Sequence, residues 1–527
     1  MSLNNGSNTS ADVYYAEHDK GIRASTFSSS VAAMVAPSHK GRVGVPVLTV
    51  GKSGFRAEFG APDLKLTVAH IQAEQFFTEG SQLYFVRVAN NALYGSARIT
   101  TLNGFAVANP SNVGYSDPEE YVFNAEDILF INGVDQGAWN NDIEVMMYPD
   151  TFDPANELFV VDVFYGNSQV AVESFRCTIR EQTNGYGQQT GIEHQLNSSK
   201  YIRARVNYDH PKLKSFPEMR LINSLVRVGL SHGSNGDPVT IDQIIDAWDE
   251  YEDPEDIQVT MLLNSGYAIP AVQHKMLQIA EERGDCLAIL DVPREMQTTQ
   301  KAVEYRRNVL NANTSFGALY SPDVAVRTED NVQVLIPPSG YIAAVYARTD
   351  RVAAEWFAPA GITRGKVAAD GLSQTYLQGD RDVLDVNQIN FIHKMPGTGL
   401  VVWSQETLQS HASPLSNIHV RRLLNTLQVT IRGVSMMSLF EQNDPTLWVE
   451  LREAATNVLA PVKRGRGLYG YEVICDESNN PAEYQASGDT VLDVYLDVMM
   501  VTKRIHLNAN IVRRGQIEFA ISLLDRT

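Results

Sequence analysis

The sequence is short of cysteine: Cys177, Cys286 and Cys475 are the three in 527 residues, far apart and without a C-x-x-C partner. That spacing argues against a disulfide framework and a cysteine zinc site, and buried reduced thiols are expected instead. No run of eighteen apolar residues occurs, so no membrane-spanning segment is predicted. The opening stretch MSLNNGSNTSADV has neither the basic nor the apolar region of a signal peptide, which predicts a soluble protein made in a cytoplasm. Basic residues are scarce as well, with 43 Lys and Arg against 62 Asp and Glu, a net charge of −19. The deficit is concentrated in residues 101–260, which hold 26 acidic side chains against 9 basic ones, whereas residues 1–100 hold 7 against 9. A nucleic-acid reader needs a basic stripe to displace counterions, so no nucleic-acid partner is expected. The acidic middle reads as a solvated outer region on a nearly neutral scaffold.

Catalytic signatures are also missing. The eleven histidines show no H-x-x-x-H or H-E-x-x-H spacing, and no G-x-S-x-G is present. Gly465-Arg466-Gly467-Leu468-Tyr469-Gly470 fits G-x-G-x-x-G literally, but a dinucleotide loop runs from strand to helix and the order expected here is helix, turn, strand. Gly361 to Lys366 is one residue short of a phosphate-loop spacing and is followed by Val367 rather than Ser or Thr. The run DAWDEYEDPED, Asp246 to Asp256, would hold a divalent cation only if its carboxylates converged, and a solvated acidic loop is the reading adopted. Asp291 ends a predicted strand where α/β enzymes often hold ligands, yet fold alone assigns no activity. The expectation is no enzyme, no cofactor and no metal.

What is present is core-forming material: 44% of residues are apolar, and a chain of this length predicts two to four domains. Strands are predicted at VAAMVA and Val45–Val50, then a short helix ending at Gly60, a helix HIQAEQFFTEG and a strand LYFVRV. From about Arg98 the texture changes to short strands broken by Gly, Asn, Asp and Pro: DILFING, DIEVMMYPD, LFVVDVFYG and ESFRCTIREQ. Between Tyr201 and Ala344 the rhythm is strand, helix, strand, helix, strand, which implies parallel pairing. Residues 1–24 have too little to bury to fold alone, and are either a disordered tail or an arm ordered by a neighbour. The last fifty residues alternate in three strands: Leu492 to Val498, Ile505 to Ile511, and Ile517 to Ile521.

The most patterned stretch runs from Asn417 to Asp476. Val420, Leu424, Leu427, Ile431 and Val434 share one side of a predicted amphipathic helix. Asp444 is placed to cap a second helix with Pro445 at its first position. Leu447, Leu451, Ala454 and Val458 are its expected inward residues, and it is expected to stop near Pro461. YEVICD then reads as a strand. Arg421 and Arg422, flanking the first helix's apolar face, are expected to be salt-bridged or solvated rather than to hold an anion.

This stretch resembles the C-terminal signature of contractile tail sheath proteins of myophages and related injection machines. The resemblance is carried by Val420, Arg421, Arg422, Leu423 and Leu424, then Phe440, Asn443, Asp444 and Trp448, then Gly467, Gly470, Cys475 and Asp476. The opening of the chain is similar to the same family through Gly41, Pro46, Phe55, Phe59, Gly60, Phe76, Phe77, Gly80 and the Tyr84–Val88 strand. A third segment matches through Tyr346, Arg348, Asp350, Trp356, Ala358 and Pro359. The departures are Arg42 where the family often has proline, Ala354 for a usual glycine, and Gln405 for a usual glycine or arginine.

The resemblance implies a multi-domain α+β and α/β fold with a discontinuous α/β core built from both chain ends. The expected divisions are an arm at 1–24, core at 25–97, an acidic β-rich outer insertion at 98–200, an α/β insertion at 201–344, core again at 345–490, and terminal strands or an arm at 491–527. It implies a subunit that polymerises in stacked hexameric rings as a helical tube around a tail tube protein, bounded by baseplate and tail terminator proteins. Such a subunit is a virion component assembled in the host cytoplasm, whose contraction drives the tube through a bacterial envelope. A sheath of a non-phage injection device is the alternative, and an α/β enzyme a more distant one. Val13, Tyr14 and Tyr15 with Ile505, Leu507, Ile517 and Phe519 are the expected strand-adding arm residues. Lys463, Arg464 and Arg466 form a basic turn expected to face an acidic tube, the bland reading being a solvated turn.

Overall fold

A computed structural model describes residues 30–102, 105–111, 113–150, 158–183, 185–211 and 227–503. Strand Val31–Ala36 is apolar at every position, and all six of its residues are buried. A strand with no polar face needs neighbours on both edges and cover on both sides. It lies inside an eight-stranded sheet of order Gly399–Val402, Ile389–Met395, Gly317–Ser321, Leu287–Asp291, Met261–Leu263, Val31–Ala36, Gln82–Arg87 and Val47–Val50. The six inner strands pair in parallel and the two outermost pair antiparallel.

Alternation along Val31–Ala36 separates two cores. Ala32, Met34 and Ala36 face the side covered by helices Ala69–Phe76 and Ser339–Val352, where Phe55, Phe59, Phe76 and Phe85 pack. Val31, Ala33 and Val35 face the side covered by helices Ile241–Trp248 and Pro270–Arg283. The second of these begins with Pro270 at its first position and ends at Gly284 in the left-handed region, φ 72°, where a side chain would be strained. The acidic run Asp246–Asp256 thus starts in a helix, and its Trp248 and Tyr251 are core residues rather than parts of a solvated loop. Lys275 answers two of its carboxylates, Asp249 at 2.5 Å and Glu252 at 2.6 Å.

The acidic β-rich unit consists of two antiparallel four-stranded sheets around one core that includes Ile99, Ile131, Val161 and Trp139. Arg87, at the end of its strand in the large sheet, ties the two units together. Its guanidinium is buried and donates to the carbonyls of Gly41 at 2.7 Å and Gln136 at 2.6 Å. Burial lowers its pKa to about 10.

Sheet order corrects several expected divisions. The strands of 201–344 do not form an inserted unit of their own: Met261–Leu263, Leu287–Asp291 and Gly317–Ser321 occupy the middle of the large sheet. The physical reason is that periodicity reports a strand's faces and not its edge partners, here residues such as Ala32 and Met261. The boundary at 344 falls inside helix Ser339–Val352, and the one at 97 inside strand Ser96–Leu102. The β-rich unit also extends past 200 to include Ile202–Val206 and Val228–Gly229. The boundary at 490 separates two strands that pair, Leu468–Ile474 and Asp493–Val498. The arm expected over 1–24 and the strands expected at 505–511 and 517–521 lie outside the described residues.

Candidate functional site

The Asn417–Asp476 stretch forms a helical hairpin followed by a strand. Helix Ile418–Ser435 buries Val420, Leu423, Leu427 and Val434, with Leu424 and Ile431 at the margin. Its buried face is broader than the apolar stripe, because His419, Arg421, Arg422 and Asn425 are buried as well. Each has a partner. His419 Nδ1 lies 2.9 Å from Gln405 Oε1 and its Nε2 lies 3.2 Å from the Met499 carbonyl; burial lowers its pKa. Arg421 donates to Asn425 Oδ1 at 2.7 Å and lies 4.2 Å from the centre of the Phe316 ring, and burial brings its pKa down to about 10. Arg422 pairs with Asp350. Arg422 is therefore salt-bridged as expected, whereas Arg421 is held by a neutral amide and a ring, and both are interior groups rather than solvated flanks.

Asp444 caps the second helix, Pro445–Arg464, by accepting from the backbone N–H of Thr446 at 2.9 Å and Leu447 at 3.0 Å, with Pro445 at the first position. Such a cap contributes roughly 1 kcal/mol. Asn443 explains its neighbour Trp448: Oδ1 accepts from the indole Nε1 at 2.8 Å, while Nδ2 donates to the Asp489 carbonyl at 2.8 Å. The inward face is Leu447, Trp448, Leu451, Ala455, Leu459 and Val462, so Ala454 and Val458 flank it rather than line it. The helix also passes Pro461 for nearly one further turn, held by Val462 in the core and by the Gly465 N–H donating to the Pro461 carbonyl at 2.8 Å.

The turn after this helix is pinned by Trp356, whose Nε1 donates to the Gly465 carbonyl at 2.9 Å. A Cβ on Gly467 would stand 2.6 Å from Val462 Cγ1 and 3.0 Å from the Trp356 ring, so this glycine serves close approach. The literal G-x-G-x-x-G is thus a helix–turn–strand connection. Around it Lys463, Arg464 and Arg466 are all exposed. The structure brings these three basic side chains together on one turn, with the Lys463 ammonium 5.7 Å from the centre of the Tyr471 ring. Val13, Tyr14, Tyr15, Ile505, Leu507, Ile517 and Phe519 lie outside the described residues.

Strands Leu468–Ile474 and Asp493–Val498 make a two-stranded antiparallel sheet, and among the described residues each has one unpaired edge. Val494, Leu496 and Val498 pack on the hairpin core as their alternation predicts. Sequence reasoning missed the tip of the helical hairpin. Met436, Met437, Leu439 and Phe440 are exposed there, Phe440 fully, with its backbone in the left-handed region at φ 69°. The signal was present as an uncharged apolar run, MMSLF, between two helices.

Asp291 occupies no open site. It is completely buried, and burial pushes its carboxyl up to about 8. Among the described residues no group of three or more His, Cys, Asp or Glu could hold a metal ion, and no helix is long and apolar enough to cross a membrane. The three cysteines are free and buried.

Residues 237–408, which supply five strands of the large sheet, match the family model described as the phage tail sheath protein central domain. Over 297 residues the chain is 28% identical to the tail sheath protein of Enterobacteria phage T4, which takes in 52% of this chain and 45% of that protein. Over 174 residues it is 31% identical to the tail sheath protein of Vibrio phage KVP40, covering 33% of this chain and 26% of that one. These alignments span less than half the length of either phage relative. The fold is also that of the helical sheath of the anti-feeding prophage in its contracted state, with a TM-score of 0.53 and 16% identity over 95% of this chain and 99% of that one.

Proposed function

We propose that this chain is the structural subunit of a contractile phage tail sheath. It polymerises in stacked hexameric rings as a helical tube around the tail tube protein, between the baseplate and the tail terminator. It is assembled in the host cytoplasm, resides in the virion, and shortens to drive the tube through the bacterial envelope for genome delivery. It performs no catalysis. The observation that carries this reading is the tail sheath match of residues 237–408, the segment that builds the centre of the large sheet.

A contracting polymer needs rigid subunits that exchange one set of contacts for another, and links that survive the exchange. Strand addition suits the links: each main-chain hydrogen bond contributes roughly 0.5–1.5 kcal/mol net, and alternate side chains fill pockets. The edges of Leu468–Ile474 and Asp493–Val498 that are unpaired among the described residues are receptors of the right kind. Val13, Tyr14 and Tyr15 of one neighbour, and Ile505, Leu507, Ile517 and Phe519 of another, are the strands we assign to them. A heterologous, non-closing interface generates the helix. Lys463, Arg464 and Arg466 face the tube, where exposed positive charge complements an acidic wall.

A second reading is a sheath of a non-phage injection device, favoured by the coverage of the anti-feeding prophage sheath, 95% of this chain. The higher identity to phage proteins supports the phage reading. The test is sedimentation of the purified chain with and without purified tail tubes attached to baseplates. Tube-dependent pelleting with a fixed sheath-to-tube ratio supports the proposal. A chain that stays in the supernatant under both conditions contradicts it.

A further inference from the structure

Between helix Ile418–Ser435 and the edge of the large sheet lies a cavity of about 540 Å³ whose walls include Val31, Leu48, Thr260, Arg422, Val429 and Met436. Leu48 belongs to Val47–Val50, the last strand of the sheet, and with Met436 it forms an exposed apolar rim. Val31, next to the first described residue Ser30, lines this cavity. Thr260 grips Val31 three times: Oγ1 accepts from the Val31 N–H at 3.2 Å and donates to its carbonyl at 3.0 Å, and the Thr260 N–H donates to the same carbonyl at 2.9 Å. Ser30 Oγ donates at 3.0 Å to Asp350 Oδ2, the oxygen that also accepts from Arg422 Nη2. Arg422 Nη1 is buried and meets no acceptor among the described residues.

The stretch leading to Ser30 is Ala24-Ser25-Thr26-Phe27-Ser28-Ser29, uncharged, with a single aromatic side chain. Phe27 is three residues ahead of Ser30, a span of up to ~10 Å of extended chain. We propose that Phe27 of the same chain docks in this cavity, against Leu48, Val429 and Met436, with the backbone of residues 25–29 crossing the Arg422 wall. Tethering decides the occupant. So short a link holds Phe27 at an effective concentration on the order of millimolar, above that of any neighbour's segment in dilute solution. The docked segment gives the preceding residues a fixed root, so that the length available to reach a neighbour is counted from residue 24. This inference does not depend on the sheath reading, since the anchor forms in an unassembled chain.

Amide hydrogen exchange on the full-length chain, kept dilute and unassembled, tests it. Residues 25–29 are expected to exchange at least about ten-fold more slowly than residues 2–10 of the same molecule, independently of protein concentration. Phe27→Asp, and separately Met436→Asp on the exposed rim, should abolish that protection while leaving exchange in Val31–Ala36 unchanged. Equal rates for residues 25–29 and 2–10 overturn the proposal. So does protection that both variants leave intact, and protection that appears only as concentration rises assigns the cavity to a neighbouring copy instead.

Discussion

Arg422 Nη2 lies 2.6 Å from Asp350 Oδ2 with the two side chains 6% and 2% exposed, a buried ion pair. It joins the helix of the C-terminal hairpin to helix Ser339–Val352 of the large sheet. The guanidinium also lies 4.7 Å from the centre of the Tyr346 ring, whose hydroxyl is 2.8 Å from that of Tyr320. Burial works against the charge on Arg422, but the Asp350 carboxylate outweighs it and raises the pKa.

Removing one member of such a pair leaves a buried charge without its counterion, at a cost of roughly 3–5 kcal/mol. Arg422→Met and Asp350→Leu are each expected to lose that much in urea denaturation. The double variant is expected to recover most of it, since matched apolar replacements of buried pairs are often near neutral. Additive losses in the double variant would show that the two residues act independently.

Gly467→Ala places a methyl 2.6 Å from Val462 Cγ1 and against Trp356. The expected loss is about 1–3 kcal/mol, the range for overpacking a filled site. Val462→Ala in the same chain should relieve part of it, which a comparison of the three melting temperatures would reveal.

Asp291 makes stability depend on pH. Its carboxyl keeps a proton to about pH 8 in the fold, against 3.8 ordinarily, so the native state holds a proton that the unfolded chain has released. Stability therefore falls as pH rises from about 4 to about 8. Asp291→Asn, which cannot ionise, is expected to gain over the parent as pH rises, on the order of a few kcal/mol at pH 8. Parallel stability curves for parent and variant between pH 4 and 8 would count against a protonated Asp291.

Lys463→Glu, Arg464→Glu and Arg466→Glu combined should leave the monomer folded at a cost of about 1–2 kcal/mol, because all three are exposed and the loss is confined to the charges of Lys463 and Arg464 in the last helical turn. The same triple variant is expected to lose assembly around tail tubes. Normal assembly on tubes would return the turn to a simple solvated one.

Local structure was legible in the sequence wherever one short segment decides it. Asp444 and Pro445 start a helix as their chemistry requires, and Val31–Ala36, Gln82–Arg87 and the 127–177 strands form where β-branched and aromatic runs predict them. The parallel rhythm of Met261–Leu263, Leu287–Asp291 and Gly317–Ser321 was also legible. The neighbour of Met261 was not: it is Ala32, more than two hundred residues away, and nothing local encodes that pairing. Burial of Arg422 depends on Asp350, 72 residues earlier, so the helix's own pattern underestimates its buried face. The inward register of the second helix slipped toward Ala454 and Val458 because a four-three rhythm left out Trp448, which Asn443 draws inward. For the candidate site, the basic turn was readable as a run of charges, whereas the cavity beside Val31 depends on segments that meet only in the fold.

The most direct test of the sheath account is negative-stain electron microscopy of the purified full-length chain beside a variant lacking residues 1–24, across salt and protein concentration. The account predicts hollow tubes with a regular helical repeat from the full chain, alone or nucleated by tail tubes and baseplates, and folded monomers without tubes from the shortened one. Full-length chain that forms no tube even on tail tubes and baseplates would contradict it.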